Sequence, residues 1–323
     1  MNKVAIALMV KDEARVIERC LASCLSLKPD LVVIVDTGSS DNTVVRAGMF
    51  LQENKNPYKI YFSKFVDFST DRNELLEYVR KERDINYVII MDADDIFHTD
   101  KDFDVNEFKD SLCEKVYQIT FVSGNLTFYL PKLLSNSITA NYKGVTHEYL
   151  DFPNNQLNFC EKFRIIKLND GNRRVSNSKT KHDVELLEKG LKDTENEFLR
   201  SRYTFYLAQS YYDLGDYANA IVHYNNRAQM GGWNEEIFYS YYQLGNIFVK
   251  ITPTNLEPIL KFYLMAYGIT KNRIEPLVAL SKSLKDNDQS FIADTILQPI
   301  IDKLMGYPPT GLFVEKDKYV NPS

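Results

Sequence analysis

Three short apolar runs punctuate the first third of the chain, and each stops at an acid. Val4 to Val10 runs into Lys11-Asp12-Glu13, Leu31 to Val35 into Asp36, and Tyr87 to Met91 into Asp92-Ala93-Asp94-Asp95. Runs this short and uniformly apolar predict strands buried on both faces, as a parallel sheet covered by helices requires. Between the first two, Val16, Ile17, Cys20, Leu21, Cys24 and Leu25 recur at helical spacing over Ala14 to Leu27, until Lys28-Pro29-Asp30 breaks the pattern. After the second, Gly38 permits a tight turn, and Asp41 or Asn42 can cap a helix beginning near Thr43. Strand, helix, strand, helix in this rhythm is a β-α-β nucleotide-binding unit, whose ligands bind beyond the carboxyl ends of the strands.

The pattern changes further on. Asp100 to Glu114 reads as a charged helix, and Val116 to Val122 with Leu126 to Leu130 reads as a hairpin across Ser123-Gly124-Asn125. Residues 161 to 182 hold Lys162, Arg164, Lys167, Arg173, Arg174, Lys179, Lys181 and His182 against only Glu161 and Asp170. With Gly171 and two serines, this stretch reads as a basic loop and interdomain linker. From Asp183 onward the pattern is helical only. Leu207, Ala208 and Tyr211, the turn Leu214-Gly215-Asp216-Tyr217, then Ala220 and Tyr224 match the tetratricopeptide spacing, a second unit follows from Tyr241, and a third begins near Glu275. The resulting expectation is an α/β domain over 1–170, a linker at 171–182, an all-α tetratricopeptide-like domain over 183–305, and an extended tail at 306–323 that folds back as a cover.

Composition narrows the class of function. The chain has 323 residues, enough for two domains with cores of their own. A formal charge of −5 provides no basic footprint for nucleic acid. The first apolar run is a strand rather than a signal peptide, because it is only seven residues long and charges follow at once. No window has the length and apolarity of a membrane span. Cys20, Cys24, Cys113 and Cys160 form neither a zinc spacing nor a disulfide framework, so reduced thiols in a cytoplasmic protein are expected.

The candidate chemistry lies in the acids. Neither G-x-G-x-x-G nor G-x-x-x-x-G-K-[ST] occurs, which removes the dinucleotide and P-loop fingerprints. Asp12 with Glu13, Asp36, and the Asp92, Asp94, Asp95 group stand instead at the ends of three strands. Singly, each is read as readily as a helix or turn cap. Together they suit ribose hydroxyls, a base N–H and a divalent cation, which relieves the repulsion among close carboxylates.

An apolar strand ending in Asp-Ala-Asp-Asp resembles the DXD element of the GT-A glycosyltransferases, in particular family 2. Val10-Lys-Asp-Glu13, Ile17-Glu-Arg-Cys-Leu21 and Ile34-Val-Asp-Thr-Gly-Ser-Ser-Asp-Asn-Thr43 are similar to the opening of that family. Asp67-Phe-Ser-Thr-Asp-Arg72-Asn73 is similar to its Arg-Asn motif at a helix start. The resemblance implies a nucleotide-diphospho-sugar transferase fold, Rossmann-like, with Asp12, Glu13, Asp36, Arg72, Asn73 and Asp92 on a UDP-sugar donor. It also implies Mn²⁺ or Mg²⁺ on Asp92 and Asp94, with His147 completing the shell. Glu148 or Asp95 would serve as the base of an inverting transfer to a protein, peptide or glycan acceptor. Two other readings stay open at this point: a repeat-based protein-binding scaffold with a degenerate transferase domain, and a sugar nucleotidyltransferase.

Overall fold

The computed structural model describes residues 1–124, 126–168, 170–171, 178–306 and 311–319, in two units divided between Lys179 and Thr180. In the first unit, β1 (Val4–Val10), β2 (Leu31–Asp36), β3 (Tyr58–Phe62) and β4 (Tyr87–Met91) run parallel, joined by α1 (Ile17–Ser23), α2 (Thr43–Glu53) and α3 (Phe68–Arg80). The chain continues through β5 (Asp95–His98), α4 (Val105–Ser111), β6 (Val116–Ser123) and β7 (Leu126–Ser135). A small pair, β8 (Asn141–Lys143) with β9 (Tyr149–Asp151), precedes β10 (Asn158–Lys167). The main sheet has the order β3-β2-β1-β4-β7-β6-β10-β5.

Alternation sets the two faces. Val4, Ile6, Leu8 and Val10 of β1 pack with Ile17, Cys20, Leu21 and Cys24, whereas Ala5 and Ala7 pack with Leu75, Leu76 and Val79 of α3. Asp67 starts α3 by accepting a hydrogen bond from the Thr70 N–H at 2.8 Å. Register then aligns the strand ends, with Val10 opposite Asp36 and Leu8 opposite Met91. The acids that terminate β1, β2 and β4 therefore share one edge, at the point where the order reverses on either side of β1.

Two expectations need correction here. Residues 161–167, expected to form part of a basic loop, lie within β10, which pairs with both β6 and β5. Its inward residues Cys160, Phe163 and Ile165 are buried, but three residues are inserted against β6 between Cys160 and Arg164, and that shift hides the alternation. Arg173 and Arg174 fall outside the described residues. The long helix expected over Asp100 to Glu114 shrinks to α4, which Asp104 caps through Asn106 and Glu107.

The short link from β4 to β5 shapes the sheet. Those strands stand four places apart in its order, a flat separation of about 19 Å at about 4.8 Å per place. The four Cα steps from Met91 to Asp95 span at most about 14 Å. The sheet must therefore curl to bring its far edge back toward its centre.

The second unit is all-helical among the described residues: α5 (Ser178–Asp193), α6 (Glu197–Asp213), α7 (Tyr217–Gln229), α8 (Asn234–Ile251), α9 (Leu256–Ile269) and α10 (Glu275–Lys285), followed by short turns of helix. Gly215 takes a left-handed φ of 75° in the α6–α7 turn, and Asp216 caps α7. Tail residues pack on this unit: Leu312 N–H donates to Glu235 at 3.0 Å, and the buried Tyr319 hydroxyl donates to Glu275 at 2.8 Å. No described helix is long and apolar enough to cross a membrane.

Gly245 of α8 lies directly against the Tyr263 ring of α9. A Cβ there would meet the Tyr263 ring at 2.5 Å, and that ring is buried, with its hydroxyl fixed on Asn246 at 2.8 Å. Gly245→Ala should destabilise the helical unit by about 1–3 kcal/mol through overpacking. Urea unfolding checks this, and an unchanged midpoint would show that Tyr263 yields.

Candidate active site

Oxygens of Asp92, Asp94 and Asp95 lie within 4.8 Å of one another just past β4. Asp95 is 1% exposed and fully engaged: one oxygen accepts from the Asp92 N–H at 3.0 Å, the other from Lys167 Nζ at 2.8 Å. Burial, with the Asp92 charge beside it, pushes its pKa up to about 6 in spite of Lys167. Asp92 accepts from Lys167 at 3.0 Å and from Arg72 Nη2 at 2.8 Å. Burial works against the ionised form here too, but Arg72, Lys167 and Lys132 outweigh it and hold Asp92 well below the usual carboxylate range. Asp94 takes part in no hydrogen bond or ion pair among the described residues.

The β1 and β2 ends interlock. Asp12, at a left-handed φ of 55°, accepts with one oxygen from the Ser40 N–H at 2.6 Å, the Ser40 hydroxyl at 3.0 Å and the Asp41 N–H at 3.3 Å. Asp36 is 4% exposed and accepts from the Gly38 and Ser39 N–H groups through Oδ2 alone, which leaves Oδ1 buried without a partner. A buried carboxylate oxygen left unmet is costly unless a ligand supplies the donor. Gly171 lies against Glu13 and Asp94: a Cβ on it would stand 3.2–3.3 Å from both carboxylates, a contact tighter than most Cβ atoms make. Arg19 fixes the adjacent Asp170 through two hydrogen bonds of 2.8 and 2.7 Å.

On the other side of Asp92, Arg72 joins two acids from distant parts of the chain. Its Nη2 holds Asp92 and its Nε donates to Glu148, while the guanidinium lies 5.6 Å from the Tyr142 ring centroid. Gly144 makes this possible, turning the chain at φ 110° after β8 so that Glu148 returns toward α3. Asn73 does a different job: both its amide atoms are engaged on the Tyr142 backbone, at 2.9 and 2.6 Å, so it fastens β8 to α3. His147 has φ 51°, which makes the segment a turn rather than a strand, and its exposed side chain lies outside the carboxylate group at the end of β4.

The structure thus brings Asp92, Asp94, Asp95, Arg72 and Glu148 together, and sets Asp12, Glu13 and Asp36 on the neighbouring strand ends. Two lysines of the site escape sequence reasoning. Lys167 looks like any other basic residue of 161–182, and only its register opposite Asp95 reveals it. Lys132 carries no sequence signal at all, and burial with the Arg72 charge pulls its ammonium down to about 8.

The carboxylates fit a hard divalent cation. Asp94 is uncommitted, Asp92 stands beside it, and oxygen donors of this kind suit Mg²⁺ or Mn²⁺.

Residues 5–168 match the family model for glycosyl transferase family 2. Among solved structures the chain is similar to S. aureus TarS 1-349 in complex with UDP-GlcNAc, at 14% identity and a TM-score of 0.43, covering 91% of this chain and 90% of that one. Over 38% of its length it is similar to glucosyl-3-phosphoglycerate synthase from Mycobacterium tuberculosis with Mn²⁺, UDP and phosphoglyceric acid, at 15% identity, 44% of that chain and a TM-score of 0.28. No curated protein matches it.

Proposed function

The chain belongs to glycosyl transferase family 2, and on that premise we propose that it moves a sugar from a UDP-sugar to an acceptor nucleophile with Mn²⁺ or Mg²⁺ as cofactor. The sugar nucleotidyltransferase alternative falls with the family match. The observation that carries the reading is the convergence of Asp92 and Asp94 with Arg72 and Glu148 at the carboxyl end of β4. Asp92 and Asp94 would hold the cation, which when bound stabilises negative charge on a departing diphosphate.

The protein's own groups divide the remaining work. Asp36 Oδ1 is the acceptor for the uracil N3–H, and Glu13 and Asp12 border the ribose. Glu148 takes the acceptor's proton: one of its oxygens is held by Arg72, and the other makes no hydrogen bond among the described residues. Asp95 is poorly suited to that task, since both of its oxygens are engaged, and it serves to fix Lys167 and the Asp92 backbone. Single displacement assisted by such a base inverts the anomeric centre. The helical unit, read as tetratricopeptide-like, suits a protein or peptide acceptor better than a small molecule. A cytoplasmic location accords with its free thiols.

Binding of UDP in the presence of Mn²⁺, measured by calorimetry, tests the donor assignment. Asp36→Asn should weaken it by about ten to a hundredfold, the worth of one charged hydrogen bond, with no loss of melting temperature. A mutant that binds normally and melts early would make Asp36 a turn cap and nothing more.

A further inference from the structure

Three groups, one on Arg72 and two beside it, remain unmet after the proposed donor, cation and base have been placed. The Lys132 ammonium is half-buried and makes no hydrogen bond or ion pair among the described residues, in contrast to Lys167, held by two aspartates, and Lys109, held by Asp30. Arg72 is 7% exposed, and its Nη1 is buried with no hydrogen-bond partner among the described residues. Tyr142 is 5% exposed, and its hydroxyl is likewise buried and unpartnered. The three share one neighbourhood, since the Lys132 ammonium and the Arg72 guanidinium each lie 5.6 Å from the centroid of the same Tyr142 ring.

The backbone places Lys132 there by a defect in the ladder. Along the β6–β7 pair Tyr117 lies opposite Leu133 and Gln118 opposite Pro131, so Lys132 is the extra residue of a β-bulge. Bulges re-aim side chains and gather next to active sites. Asp92 and Glu148 compensate the other edges of the guanidinium, but neither reaches Nη1 or the ammonium. Burial and the Arg72 charge disfavour the Lys132 ammonium, and the buried Nη1 and hydroxyl lack hydrogen-bond partners, an arrangement that an anionic ligand relieves.

We propose that Lys132, Arg72 Nη1 and the Tyr142 hydroxyl form a seat for an anionic oxygen of the acceptor, phosphate or carboxylate, beside the nucleophile. The guanidinium that offers Nη1 holds Glu148, the proposed base, through Nε and Asp92 through Nη2, and the seat is assigned to the acceptor on the condition that it stays open when UDP is bound. This rests on the transferase reading above, and it narrows the acceptor to molecules with a negative group near the hydroxyl, amine or thiol that is glycosylated.

The test uses the full chain saturated with UDP and Mg²⁺, into which inorganic phosphate and, separately, acetate are titrated by calorimetry. At least one should bind with UDP in place, the stronger identifying the acceptor's group. Lys132→Met should weaken that binding by about ten to a hundredfold. Its melting temperature should hold or rise, since an unpaired half-buried charge has been removed, and its UDP titration should match the wild type. If neither anion binds the UDP-loaded protein, or if Lys132→Met binds it unchanged, the seat does not exist. Mutual exclusion of UDP and the anion would assign the three groups to the donor's diphosphate and overturn the acceptor assignment. Failure of UDP itself to bind the wild type would instead count against the transferase reading, and the proposal would go with it.

Discussion

Glu148→Gln should lower sugar transfer by about two to four orders of magnitude, the usual contribution of a general base, while UDP affinity stays near that of the wild type. The amide oxygen of Gln can still accept from Arg72 Nε, so the guanidinium keeps its position and its grip on Asp92. What disappears is the capacity to take a proton. The competing variant, Asp95→Asn, should behave differently. It removes the buried charge that Lys167 faces and half of the contact that fixes the Asp92 backbone, so stability and cation binding should fall together. Separate measurements of donor binding and single-turnover transfer distinguish the two. Normal turnover by Glu148→Gln would remove Glu148 from the chemistry.

Asp94→Ala should abolish transfer and the cation-dependent part of UDP binding, yet leave the melting temperature unchanged or raised. The asymmetry follows from the partners. Asp92 and Asp95 have their charges compensated by Arg72 and Lys167, whereas Asp94 makes no ion pair among the described residues and stands within 4.8 Å of both. Its loss removes repulsion from the metal-free protein while taking away a ligand. Titrating Mn²⁺ into wild type and variant, with UDP present and with EDTA as the reference, gives the answer. Full activity of the variant, or of the wild type in EDTA, would contradict the assignment.

Much of this site is legible in the amino-acid sequence, and the reason is local. β1, β2 and β4 announce themselves because a strand covered on both faces must be apolar at every position, and acids ending such strands have to lie at one edge of a parallel sheet. The start of α3 is legible through Asp67, Arg72 and Asn73, although Asn73 serves the backbone of β8, a contact across 69 residues that no local pattern encodes. β5 and β10 are hidden for a different reason. β5 is four residues long and buries a charged residue, Asp95, while leaving Ile96 part-exposed; in β10 most outward positions are charged, and the shift between Cys160 and Arg164 breaks the alternation that would mark a strand. Lys132 meets the same limit: a bulge is a relation between two strands, and one strand's sequence does not show it.

The curl of the sheet has a consequence for the order in which the molecule is made. Asp95 leaves the ribosome 72 residues ahead of Lys167, its charge partner, and until β6, β7 and β10 are in place the far edge has nothing to close on. Arg72 is already made when the aspartates past β4 emerge, whereas Lys132 comes 37 residues after Asp95 and Lys167 comes 72 residues after it. Loop closure over so long a stretch is entropically slow. In the nascent transferase unit the parallel strands are therefore made before the far edge of the sheet, and the carboxylates past β4 gain Lys167 only when β10 arrives.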